Sequence, residues 1–108
     1  MSSGKEAQYL YLTTRGRTSG QPREIEIWFT ARSGRYYIIA EYATSNWIQN
    51  LRAQSAVQVR IGNETFPATA RVLSEERDGE LCRAVQGLSR AKYGWGDGLV
   101  VELAPQLE

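Results

Sequence analysis

The sequence predicts an α+β fold that is mainly β: six antiparallel strands closed into a barrel, with two helices packed outside. Three observations carry this expectation. Six short runs place apolar residues at the period of a strand, turn-forming residues separate them, and only two stretches shift to a helical period. At 108 residues the chain is sized for one domain, 1–108, because two separate cores would each be too small to stand without staples.

The elements follow in order. Residues 1–7 are expected as a tail. Residues 8–14 (QYLYLTT) are rich in β-formers and stop at Arg15-Gly16. Residues 16–22 (GRTSGQP) form a turn-rich connection, and residues 23–31 (REIEIWFTA) a second strand. In that strand Arg23, Ile25, Ile27 and Phe29 share one face, and Glu24, Glu26 and Trp28 the other. Ser33-Gly34 marks a hairpin into residues 35–41 (RYYIIAE).

Thr44 or Ser45 then caps a short helix over residues 46–54, with Trp47, Ile48 and Leu51 on one side. Residues 56–61 (AVQVRI) alternate again, and Gly62-Asn63 turns into residues 65–73, where Pro67 predicts an edge or a bulge. Ser74 caps a second helix whose first turn holds Glu75, Glu76 and Asp78, where the helix dipole favours acids. Leu81, Val85 and Leu88 form its apolar stripe to about Arg90, and Cys82 is expected to pack as a small hydrophobe. Residues 93–98 (YGWGDG) read as an aromatic glycine loop before a last strand at 99–103. Leu107-Glu108 reads as a cloning remnant.

Composition narrows the chemistry. There is no histidine, which removes the serine–histidine triad, the histidine–cysteine dyad and the usual zinc and haem ligation. One cysteine excludes an internal disulfide or a cysteine metal cluster, so no metal site is expected. No apolar run approaches the ~20 residues that span a bilayer, and the opening MSSGKEAQ lacks a signal-peptide core. A soluble, cytoplasmic protein is the expectation. The net charge of +1 argues against general nucleic-acid binding.

Charge is unevenly spread. Residues 1–60 carry eight Lys/Arg against four Asp/Glu, and no acid lies between Glu6 and Glu24. That stretch holds Arg15, Arg17 and Arg23, whose forked donors suit phosphate or carboxylate, with Thr18, Ser19 and Gly20 between them. It is neither a Walker A loop nor a G-x-G-x-x-G fingerprint, and a solvated basic turn would read the same way. Trp47 and Asn50 put an aromatic plane beside an amide, or equally a barrel-filling ring beside a local cap. Tyr93 and Trp95 offer a loop able to fold over a planar ligand, or a packed turn. Glu24 and Glu26 share one strand face without the opposed geometry of a glycosidase pair.

Taken in order, residues 13–23 (TTRGRTSGQPR), Trp28-Phe29, 34–40 (GRYYIIA), 46–53 (NWIQNLRA) and 57–62 (VQVRIG) resemble the deazaflavin-dependent nitroreductase family. The resemblance covers roughly residues 10–73 and is looser through the final strand. It implies a split β-barrel of the FMN-binding-like type, related to the pyridoxamine-phosphate-oxidase barrels. It also implies coenzyme F(420), a 5-deazaflavin whose reduced form hands a hydride to a nitroaromatic, quinone or activated-alkene acceptor. The cofactor then supplies the reactive carbon, and no side chain of the chain itself need be catalytic.

Carried over residue by residue, the resemblance places Arg17, Thr18, Ser19, Gly20 and Arg23 on the cofactor's phosphate and acidic tail, and Arg15 is counted with them as cofactor-binding. Ala40, Glu41 and Tyr42 border the deazaflavin ring, with Trp47 and Asn50 beside them, and Trp28, Tyr93 and Trp95 stand on the substrate side. The segment at residues 41–46 is shorter than in the nitroreductases that best fit the pattern, and lacks their Ser-Lys-Gly-Gly-type run. Relatives of this barrel also bind FMN, haem or linear tetrapyrroles. FMN is therefore the alternative cofactor, and a non-catalytic carrier of a planar anionic cofactor the alternative function. The partners expected are a small-molecule electron acceptor and a second copy of the chain, as a homodimer.

Overall fold

The chain runs β1 (Tyr9–Arg15), β2 (Pro22–Trp28), β3 (Thr30–Arg32), β4 (Arg35–Ala40), α1 (Asn46–Ala53), β5 (Ala56–Ile61), β6 (Glu64–Val72), α2 (Glu75–Tyr93) and β7 (Leu99–Pro105). This computed structural model describes residues 8–106; the expected tail at 1–7 and the remnant at 107–108 lie outside them. The strands form one seven-stranded antiparallel sheet in the order β2-β1-β5-β6-β7-β4-β3. Its two edge strands, β2 and β3, are consecutive in the chain with only Phe29 between them. The sheet therefore curls until its edges meet through covalent chain, not through ladder hydrogen bonds. That is a split barrel.

The seventh strand corrects the expected count of six. Residues 23–31 keep one unbroken alternation, yet they change partner at Phe29: Trp28 is opposite Tyr9 on β1, and Thr30 opposite Tyr37 on β4. Period-2 patterning reports which face a residue takes, and is blind to which strand it pairs with.

Inward-facing residues of the sheet, among them Leu10, Leu12, Ile38, Val59, Val101 and Leu103, form the interior cluster. Ile48 and Leu51 of α1 belong to that same cluster. Helix α1 closes this cluster with one face and keeps Asn46, Arg52 and Ala53 exposed on the other. Helix α2 packs on the opposite face of β4 and β7, its Cys82 and Val85 against Tyr37 and Ile39 of β4 and Val100 of β7. This explains why β4 and β7 are buried on both faces, a pattern usually associated with strands between layers. Full burial of each such side chain contributes about 1.5–3 kcal/mol.

The stripe on α2 also shifts. Its buried residues are Cys82, Val85 and Ser89, while Leu88 is 39% exposed. A hydrophobicity reading selects Leu88; the fold buries Ser89 instead because its hydroxyl donates to the Trp95 carbonyl at 2.5 Å. Ser74 caps the helix as expected, its Oγ accepting from Glu76 N, while the Asp78 carboxylate accepts back from Ser74 N at 3.0 Å. Helix α2 continues past Arg90 to Tyr93 and ends where Gly94 takes the left-handed conformation, φ 82°. Tyr93 is thus helical and not part of the loop. Pro67 sits mid-sheet in β6, but its carbonyl accepts from Gln106 just past the end of β7, so its missing N–H faces the place where that ladder runs out.

Candidate functional site

The arginine loop joins β1 to β2 and is folded tightly on itself. Gly20 N donates to the Gly16 carbonyl and Gly16 N to the Gln21 carbonyl, both at 2.8 Å, and Ser19 Oγ accepts from Gln21 N. What aims the loop is α1. Asn50 on α1 is only 5% exposed, and its Oδ1 accepts from Arg17 N at 3.2 Å and from Arg17 Nη1 at 2.9 Å. Its Nδ2 lies 3.5 Å from Thr14 Oγ1, a long contact that completes the tether to β1. Asn50 is therefore a positioning residue. Its amide oxygen is already engaged twice by protein donors.

Gly16, Arg17, Thr18, Ser19, Arg23, Asn46, Trp47 and Asn50, with Ile25, line a cleft of about 440 Å³. No carboxylate lines it, and among the described residues Arg17 and Arg23 have no ion-pair partner, whereas Arg35, Arg60, Arg71 and Arg90 do. Arg15 falls outside this cleft: its Nη1 donates to the Gly20 carbonyl at 3.1 Å, bracing the turn from behind. The period-2 alternation of β1 explains this, since Thr14 and Arg15 project to opposite faces. Gly20 contributes its backbone to the turn and does not line the cleft.

Half-buried Trp47 is shared between this cleft and a second depression of about 490 Å³, walled by Ile27, Trp28, Ile39, Ala40, Glu41, Tyr42, Ser45, Trp47 and Trp95. Ile27, Trp28, Ile39 and Trp95 wall in turn a third, smaller hollow of about 230 Å³, which reaches Glu26, Thr30 and Ser89 under α2. The first and second adjoin at Trp47 and the second and third share four walls, so the three run on as one groove. It is cationic at the arginine loop and aromatic beyond Trp47, where Glu41 and Glu26 also stand in its walls. The loop that carries Trp95 runs close to its neighbours on both sides: a Cβ at Gly96 would collide with the Gln86 carbonyl oxygen, and one at Gly98 with the Ala40 carbonyl oxygen.

Of the expected substrate-side aromatics, Trp28 and Trp95 line the groove, and Trp28 is 38% exposed. Tyr93 stands behind them. Its ring stacks on Trp28 at 4.5 Å and 4°, and its hydroxyl accepts from Phe29 N at 3.1 Å and lies 2.6 Å from the carbonyl oxygens of Gln8 and Phe29. It supports the wall and pins the β2–β3 junction where the barrel closes. Sequence reasoning missed Thr30, Ser89 and Glu26 as wall residues. For Ser89 a signal existed, a polar residue in register with the buried Cys82–Val85 stripe; for Thr30 there was none.

Among the described residues no group of three or more Cys, Asp or Glu is placed to hold a metal ion. Cys82 is buried, and burial pushes its thiol pKa up, away from the reactive thiolate. The Tyr11 hydroxyl donates to Glu26 at 2.7 Å, and that bond to a carboxylate pushes the phenol pKa up, so it stays protonated at neutral pH.

A family model described as F(420)H(2)-dependent quinone reductase matches residues 3–95. The chain belongs to that family. Among solved structures, an F(420)-H2 dependent reductase (FDR-A) is 26% identical, with TM-score 0.65 and coverage of 92% of this chain and 96% of that one. A structure described as a domain-swapped dimer is 25% identical, TM-score 0.66, covering 94% and 84%. The heme storage protein HutZ from Vibrio cholerae aligns with TM-score 0.77 over 95% and 84% of the chains at 21% identity, a likeness of fold. This quinone reductase family member is an oxidoreductase that uses coenzyme F(420).

The residues present fit that cofactor. An anionic tail needs forked cations and hydroxyl donors without competing carboxylates, which is the lining of the first cleft. A planar ring needs aromatic and aliphatic walls with a few polar groups, and Trp28, Trp47, Trp95, Ile27 and Ile39 beside Glu41, Tyr42 and Ser45 supply them. When bound, the reduced cofactor supplies a hydride; the chain's own residues bind, orient and exclude water.

Proposed function

We propose that this reductase holds the phosphate and acidic tail of coenzyme F(420) with Arg17, Thr18, Ser19 and Arg23, and its ring along Ala40, Glu41 and Tyr42 beside Trp47. A small electron acceptor then enters between Trp28 and Trp95. The single observation that carries the reading is the shared-wall groove, with cations at one end and indoles at the other. A quinone that receives one hydride and one proton leaves as hydroquinone, and the cofactor leaves oxidised. Nitroaromatics and activated alkenes are acceptors of the same electrophilic kind. Titrating the protein into deazaflavin tests this: fluorescence should be quenched with a micromolar midpoint, and FMN should bind more weakly. Tight FMN binding without deazaflavin binding would overturn it.

We further propose that the whole chain acts as one cofactor-binding domain in the cytoplasm, and as a homodimer. Among the described residues no helix is long and apolar enough to cross a membrane. The 25%-identical domain-swapped dimer supports self-association; light scattering in solution decides it.

A further inference from the structure

Residues 94–98, which follow α2, are each fastened to the C-terminal half of that helix. Gly94 N donates to the Arg90 carbonyl at 2.9 Å, and Gln86 Nε2 donates to the Gly98 carbonyl at 3.2 Å. Arg90 Nη2 donates to Asp97 Oδ1 at 2.6 Å, and Gly96 lies so close that a Cβ there would collide with the Gln86 carbonyl oxygen. Trp95 itself is held by Ser89, whose hydroxyl donates to the Trp95 carbonyl at 2.5 Å. Gln86, Ser89 and Arg90 are three and four residues apart and so share one helix face. A closing lid needs a free span between two hinges, and a segment tied down at every residue has none.

The ties are unequal. The Arg90–Asp97 pair is exposed on both sides, where water and salt leave an ion pair little value. Ser89 is buried, and its bond is made at the residue that carries the indole. A serine within a helix commonly turns its hydroxyl back to the carbonyl one turn earlier; Ser89 donates forward, across the helix end.

We infer that Ser89 is a positioning residue: by holding the Trp95 backbone it fixes the indole as a standing wall, so the electron acceptor meets an opening set in advance and no loop closes over it. Trp95 walls both the ring slot and the innermost hollow, and Ser89 lines that hollow too. The inference deepens the proposed entry of the acceptor between Trp28 and Trp95, and rests on it for the acceptor's part. An indole ordered in advance spares the ligand the entropy of ordering it, which for one side chain is about three- to tenfold in affinity.

The test has two readouts. In protein labelled with 5-fluorotryptophan, Trp28, Trp47 and Trp95 give three fluorine resonances, and Trp95→Phe assigns the third. Without any ligand the Trp95 line should be single and narrow. Ser89→Ala should broaden or double it while the Trp47 line stays put, and Arg90→Ala should leave all three narrow. In steady-state turnover with reduced deazaflavin, Ser89→Ala should raise the menadione KM about three- to tenfold and keep kcat within about twofold. A Trp95 line that is broad in the parent, or narrow in Ser89→Ala, overturns the inference whatever the cofactor does. Broadening by Arg90→Ala overturns the choice of Ser89 as the holding residue. A menadione KM indifferent to Ser89→Ala, beside a broadened line, overturns the role in acceptor binding. A parent that does not bind deazaflavin overturns the cofactor reading and takes the acceptor's part of the inference with it.

Discussion

A single atom, Asn50 Oδ1, accepts from both the backbone N–H and the guanidinium Nη1 of Arg17, at 3.2 and 2.9 Å. Helix α1 thereby sets the position of the arginine loop across 33 residues of sequence. Asn50→Ala should leave Arg17 N and Thr14 Oγ1 without this partner and cost about 1–3 kcal/mol of stability, read by urea denaturation. Deazaflavin affinity should fall with it, because the tail-binding donors lose their anchor. Unchanged affinity together with the expected stability loss would show that the loop orders itself without α1.

Arg17→Ala and Arg23→Ala remove charge-assisted donors worth about 1.5–3 kcal/mol each, so apparent cofactor affinity should fall roughly ten- to hundredfold. The maximal rate should be largely kept, since the tail is remote from the hydride and contributes uniform binding. Lysine should recover only part of the loss at either position, because a point charge cannot reproduce a fork. Stability should change within about 0.5 kcal/mol for Arg23→Ala, whose side chain is exposed, and fall by about 1 kcal/mol for Arg17→Ala, which loses its bond to the buried Asn50. Steady-state titration with cofactor checks all of this; parent-like affinity in both alanine variants would reduce the loop to a solvated turn.

Tyr93 makes a different prediction. Because its hydroxyl accepts from Phe29 N and bonds to a backbone carbonyl, Tyr93→Phe should cost about 1–2 kcal/mol of stability. Its stack on Trp28 survives the change, so the acceptor KM should remain near the parent value. A raised KM at unchanged stability would instead make the hydroxyl a substrate contact.

The pH dependence of stability has a predicted sign. The bond from Ser74 N, foremost, and then the Arg71 guanidinium hold the Asp78 carboxyl below its ordinary pKa. A carboxyl lowered in the folded state stabilises above its unfolded pKa of about 3.9, and that contribution is lost as pH falls through the folded value. Asp78→Asn should therefore lower the Tm most above about pH 5, with the gap narrowing toward pH 3. A gap that widens on acidification would contradict the assignment.

What could be read from the sequence was local. Strand faces followed alternation, so Ile25 and Ile27 turn inward while Glu24, Glu26 and Trp28 turn out. Ala40, Glu41, Tyr42, Trp47, Trp28 and Trp95, named through the family resemblance, do converge on one depression. What escaped depends on partners distant in the chain. The change of partner at Phe29, the diversion of Arg15 to Gly20, and the tether from Asn50 to Arg17 leave no periodic trace. Glu102 shows the same limit: an acid buried to 4% exposure within an apolar strand, tolerated because Arg35, Arg71 and Tyr37 converge on it from β4 and β6. Burial and the bond to Glu102 in turn push the Tyr37 phenol pKa up.

The central claim is that one groove reads the cofactor in two parts, its tail at the arginine loop and its ring beyond Trp47. The most direct measurement is a binding cycle between coenzyme F(420) and the same deazaflavin stripped of its phosphate and acidic tail. Each would be titrated against the parent and the Arg17→Ala/Arg23→Ala double variant. The parent should prefer the full cofactor by roughly a hundredfold or more, and the double variant should lose most of that preference while binding the stripped ring as the parent does. A parent that binds both forms equally, or a double variant that keeps the full preference, would contradict the account.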